Sequence, residues 1–164
     1  DELESIILYQ VSALKGITES YGIKLHHVKT HGALYNMASI DNNIAETIVQ
    51  TIKKIDPELK LYGPSKMKWK EISEKHNIKY ISEVFSDRNY NDDLSLVDRN
   101  NKNSMITDIN DSIEHLSRII NQGKVKTINN KLIDIDVDTV CIHGDQPNAF
   151  IFAKTIYNTF KSII

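Results

Sequence analysis

Four short β-rich runs alternate with helical stretches along this chain, at residues 23–28, 59–62, 79–84 and 139–142. This alternation constrains the fold more than any single residue does, because successive parallel strands need a long crossover and a helix is the usual one. The pattern predicts an α/β protein with a parallel sheet, either open and doubly wound or curled as a barrel. Both architectures keep their functional groups at the carboxyl ends of the strands. Three segments lie at such ends, VKTHGALYN at 28–36, SEVFSDRNY at 82–90 and CIHGDQPNA at 141–149, and each carries ionisable side chains.

The stretches between the strands have their own signals. Leu3, Ile6, Ile7, Val11, Leu14 and Ile17 form a helical stripe over residues 1–20 that ends at Tyr21-Gly22. A Gly-containing turn follows the first strand. Asp41 is then placed to cap a helix running through Ile44, Ile48, Val49 and Ile52 to about Ile55, closed by Asp56-Pro57. Residues 65–76, with Trp69, read as a helix, and so do 111–121, stopped by Gly123. Residues 125–135 read as a hairpin turning on Asn129-Asn130, and Pro147 stands at a first helical position before Ala153, Ile156 and Phe160. With no internal repeat and no low-complexity linker, residues 1–164 are expected to form a single α/β domain.

The three strand ends offer acids, bases and cations for work on a small molecule. Lys29 and His31, two apart, point the same way if the strand continues through them. They then present a point charge for an anion beside a group that titrates near neutrality. The same pair also suits a solvated lysine and a histidine capping the strand, while His26 and His27 read as packing residues. Glu83 with Asp87, Arg88 and Tyr90 combines a candidate general base with an arginine fork for a carboxylate; the alternative is a surface Asp–Arg pair of little energetic weight. Arg99, further along the loop, is a second candidate anion clamp or merely a solvated residue. His143-Gly144-Asp145 sets an imidazole at the end of an apolar strand and an acid at the head of a helix. That acid either orients the histidine or serves only as a helix cap.

Composition narrows the function classes. A formal charge of −2, with 26% charged and 40% hydrophobic residues, gives no basic footprint for nucleic acid. Cys141 is the single cysteine, so no internal disulfide can form, and its place in the run TVCI predicts a buried, reduced thiol and a cytoplasmic protein. No stretch reaches the roughly 18 apolar residues of a membrane span, and the acidic start DELES is unlike a secretory signal. A membrane partner is not expected. No Gly-rich phosphate loop, Cys-x-x-Cys or His-Glu-x-x-His occurs. The chain opens at Asp1 without Met and already in helical pattern, from which an upstream part is expected.

VKTHGALYN, EVFSDRNYNDDLSLVDR and DTVCIHGDQPNA, in this order and spacing, resemble the LamB/YcsF family, and the likeness extends to LYQVSAL in the first helix and the segment before Asp138. It departs from the family pattern at Thr30, where the family has Pro, at Leu94, where it has Gly, and at Gln146-Pro147-Asn148, where it typically has Thr-Pro-Gly. The family's opening motifs, an Asn-Cys-Asp strand, a Phe-His-Ala-Gly-Asp segment and a His-Pro-Gly segment, do not occur.

What the resemblance implies is a parallel-stranded distorted β/α barrel of the deacetylase-like type, incomplete and represented by its later strands, the C-terminal two-thirds of the family's barrel. Such barrels take about 250 residues. The implied activity is that of the first component of 5-oxoprolinase: ATP-dependent hydrolysis of the lactam of 5-oxo-L-proline to L-glutamate, assisted by 5-oxoprolinase subunits B and C. ATP use implies phosphorylation of the lactam oxygen before water attacks. Under this reading His31, His143, Asp145 and Glu83 are the candidate catalytic residues. Lys29, Asp87, Arg88, Tyr90 and Arg99 are the candidates for binding substrate, and a divalent metal is a further candidate cofactor without a defined ligand set. Two alternatives stay open: a non-catalytic remnant or interaction component of the same family, and a metal-dependent amide hydrolase of deacetylase type.

Overall fold

The computed structural model describes residues 2–145 and 148–163. Pro147, expected to open the last helix, lies outside them, as does Gln146. The chain forms two compact units, Asp1–Ser82 and Glu83–Ile164.

In the first unit, helix α1 (Glu2–Ser20) is followed by strand β1 (His27–Lys29), helices α2 (Gly32–Ile40) and α3 (Asn42–Ile55), strand β2 (Lys60–Pro64) and helix α4 (Lys68–Lys75). Strand β3 (Tyr80–Phe85) then runs across the boundary. β1 and β2 are parallel, with Val28 opposite Leu61. The first strand is shorter than its β-branched run implied: residues 23–26 are not in a strand, and Ile23 is exposed. His26 and His27, expected to pack, are exposed as well, with the His27 ring stacked on Tyr62 at 3.9 Å between centroids.

Asp41 caps α3 as expected, its carboxylate accepting the N–H groups of Asn43 and Ile44 at 2.8 and 3.4 Å. The apolar face of α3 buries Ala45, Ile48, Val49 and Ile52, and Trp69 of α4 meets Tyr35 of α2 edge-on at 5.8 Å. Gly32, at φ +59°, has the conformation of a turn residue, yet it opens helix α2 where only a turn is expected. Tyr35 and Ala38 of this helix, three apart, are buried. Only Ile7 of the α1 stripe is fully buried; Ile6, Leu14 and Ile17 are exposed. A periodic stripe fixes which side of a helix is apolar, and the packing neighbours decide how much of it is covered. Gly63 is required by close approach: a Cβ there would lie 2.3 Å from the Tyr80 hydroxyl, which donates to the Pro64 carbonyl at 2.8 Å.

The second unit holds the end of β3, helix α5 (Ile109–Gln122), strands β4 (Lys124–Lys126), β5 (Leu132–Asp134) and β6 (Thr139–Cys141), and helix α6 (Ala149–Phe160). β6 is parallel to β3, and the parallel sheet runs in the order β1-β2-β3-β6. Asp108 caps α5 and Gly123 ends it at φ +61°, the left-handed conformation glycine adopts without strain. The expected hairpin is present as antiparallel β4 and β5, with Asn130 at φ +62° in its turn. Cys141 is in no disulfide and is only partly buried, less enclosed than its apolar run implied. No helix among the described residues is long and apolar enough to cross a membrane.

Candidate active site

The register of β3 on β6 builds the site. Val84 lies opposite Val140 and Phe85 opposite Cys141. Continuing that register by two residues sets Asp87 opposite His143, on the face that Phe85 and Cys141 occupy. The two side chains meet there: both Asp87 carboxylate oxygens lie within 3.0 Å of His143 Nδ1, at 3.0 and 2.9 Å. Asp87 is 0% exposed. The His143 side chain retains 25% exposure, and its ring stacks on Phe85 at 5.6 Å and 13°. A buried carboxylate on Nδ1 fixes the tautomer that carries the proton there, which leaves the lone pair on Nε2. This gives an oriented imidazole able to take or give a proton at one defined atom.

Asp145, expected to orient His143, is exposed; the orienting carboxylate comes from the end of β3. The neighbours of Asp87 hold it in place. Its carbonyl accepts the Ile106 N–H at 2.9 Å, while Ser86 donates both its N–H and its hydroxyl to the Cys141 carbonyl, at 3.0 and 3.1 Å. Glu83 is buried within β3, where its charge adds to the effect of burial in raising the Tyr90 phenol above its ordinary range.

Arg88, expected as an anion fork, is 5% exposed and faces the loop instead. It donates to the Val97 carbonyl at 2.6 Å and the Ser104 carbonyl at 3.4 Å. Burial, and then the charge of Arg99, lower its pKa. Tyr90 is buried too, its hydroxyl accepting the Phe85 N–H at 3.0 Å. These two side chains shape the loop rather than offer themselves to a ligand. Arg99 is exposed.

Lys29 and His31 belong to the first unit. Lys29 ends β1 with its ammonium 6.0 Å from the centroid of the Tyr35 ring, and His31 is exposed just before α2. Between them Thr30 is buried, and its hydroxyl has no hydrogen-bond partner among the described residues.

His115 is not legible from the sequence as a site neighbour, because nothing near it resembles a strand end. It sits on α5, buried, with Nε2 donating to the Phe85 carbonyl at 3.2 Å and its ring stacked on Tyr90. Burial, the largest cause, pushes its pKa down to about 4. The signal that could have found it is the apolar face of α5, shared with the buried Leu116 and Ile119. Between about pH 6.5 and 4 the unfolded chain takes up a proton that the native His115 refuses, so stability falls as pH drops through that window. Urea unfolding should show a loss of about 3 kcal/mol by pH 4 from this group. His115→Leu should flatten the fall by that amount.

A family profile, described as the LamB/YcsF family, matches residues 1–163. The chain belongs to the LamB/YcsF family. Among its relatives are the A subunits of 5-oxoprolinase from Bacillus cereus (strain AH187), 39% identical over 161 residues, and from Campylobacter jejuni subsp. jejuni serotype O:23/36 (strain 81-176), also 39% over 161. The matches cover 98% of this chain and 64% and 63% of those proteins, so the chain spans somewhat less than two thirds of their length. The Lactam Utilization Protein from Thermus thermophilus shares the fold, with a TM-score of 0.89 and 31% identity over 99% of this chain and 64% of that one. Leu94 has a backbone conformation that residues other than glycine rarely adopt. Its φ is +67°, the region that favours glycine, and its side chain is buried.

Proposed function

We propose that this chain supplies part of the A component of an ATP-dependent 5-oxoprolinase, in which His143, held by Asp87, moves the proton that opening of a lactam requires. The observation that carries the proposal is the buried Asp87 carboxylate on Nδ1 of a partly exposed imidazole at the carboxyl ends of β3 and β6. The names of the relatives and of the Thermus protein support the substrate class.

The chemistry follows from the geometry. Water adds its oxygen to the lactam carbonyl carbon while Nε2 of His143 takes a water proton. Asp87 stabilises the imidazolium so formed. The proton is then delivered to the ring nitrogen as the C–N bond breaks, leaving a carboxylate and an amine, the two groups of L-glutamate that the ring had joined. A five-membered lactam is a poor electrophile, which is the reason for coupling to ATP. No step above is routed through ATP. Among the described residues no group of three or more His, Cys, Asp or Glu side chains is placed to hold a metal ion, and none of these steps uses one.

The test is a reconstitution of the protein carrying this chain with subunits B and C, followed by measurement of L-glutamate formed from 5-oxo-L-proline. Release that requires ATP and this chain is the expected result. Release unchanged when this chain is omitted would overturn the proposal. So would release of acetate from an acetylated amide with no glutamate from 5-oxo-L-proline, which would favour an amide hydrolase of deacetylase type.

A further inference from the structure

The second unit also holds a cleft whose lining includes neither Asp87 nor His143. The cleft, of about 390 Å³, is bounded by the loop after β3, by α5 and by the β4–β5 hairpin. Its volume is in the range of small-molecule sites. Asp111, Glu114, His115 and Arg118 face it from α5, and Lys126 and Asn130 from the hairpin. The four α5 residues lie at i, i+3, i+4 and i+7, one stripe of a helix.

The charges along that stripe are ordered. Asp111 and Glu114 stand toward the start of α5, Arg118 toward its end, and Lys126 joins the cationic end from the strand that follows. Asp111 and Lys126 have no ion-pair partner among the described residues, whereas Arg118 gives one N–H to Glu114. His115, 5% exposed, stands between the two ends of the stripe. Its Nε2 is committed to the Phe85 carbonyl, so Nδ1 is left as an acceptor that asks for a donor. From His115 to Arg118 the helix rises about 4.5 Å, a span that the ammonium and carboxylate of one α-amino acid bridge with a hydrogen bond at each end.

We infer that this cleft binds a free α-amino acid with a small polar side chain, its ammonium group between Asp111 and His115 and its carboxylate between Arg118 and Lys126. Asn130 offers an amide to the side chain. An anion alone would leave Asp111 and Glu114 opposed to it, and a cation alone would meet Arg118 and Lys126. The balance of two acids and two bases selects a molecule carrying both charges.

Calorimetric titration of the intact protein with L-asparagine tests this, alongside N-acetyl-L-asparagine, which lacks the cation, and L-asparaginamide, which lacks the anion. L-asparagine should bind, and each derivative should bind at least tenfold more weakly. Lys126→Ala and Asp111→Asn, both at exposed positions, should each weaken L-asparagine about tenfold while leaving the thermal midpoint unchanged. Absence of L-asparagine binding would overturn the inference. So would a derivative that binds as tightly as the parent, or binding that survives both substitutions. Because the readout is binding, its failure is separable from failure of the proposed hydrolysis.

Discussion

Replacing His143 with glutamine is expected to lower ATP-dependent glutamate release by about 10²–10⁴-fold, the span that a positioned general acid–base group contributes. The side chain is partly exposed and its hydrogen bond runs to Asp87, so the variant should stay folded. Steady-state kinetics on the reconstituted assembly should show the loss in kcat, with KM for 5-oxo-L-proline little changed. Asp87→Asn should lower the rate as well, since an amide leaves the imidazolium without its counter-charge. Its KM should also hold. An unchanged rate in the His143 variant would remove the dyad from the mechanism.

The second large effect concerns stability. Arg88→Ala should destabilise the protein by on the order of 2–3 kcal/mol, because the Val97 carbonyl loses its charged donor in a buried loop, a loss that costs about 1–3 kcal/mol, while the Ser104 carbonyl keeps the Asn89 N–H at 3.0 Å. The stem of the arginine also fills space there. Arg88→Lys should recover only a part, since an ammonium cannot span two carbonyls as a guanidinium fork does. Urea denaturation measures the loss. A substrate-clamping arginine predicts the reverse pattern, a raised KM at unchanged stability, so the two measurements together decide what Arg88 does.

Much of the fold was legible because local signals report local structure. Asp41 and Gly123 mark helix ends through their own capping chemistry, and the hairpin at Asn129-Asn130 announces itself by turn residues that tolerate positive φ. The exceptions depend on neighbours. Residues 23–26 have the composition of a strand and are not one, since β1 pairs with β2 only from His27 onward. Gly32 looks like a turn and opens a helix, because Tyr35 and Ala38 find a core to enter.

The site divides in the same way. The sequence by itself determined that acids and imidazoles stand at the ends of β-rich runs, since the period of a strand and the polarity of the residue after it are local properties. It could not say which acid meets which histidine. By proximity along the chain Asp145 was the partner of His143. The tertiary structure chose Asp87, 56 residues away, because the parallel register of β3 on β6 sets Phe85 beside Cys141 and carries that alignment two residues further. Register is fixed by hydrogen bonds and packing between distant segments. It therefore exists only once the chain has folded.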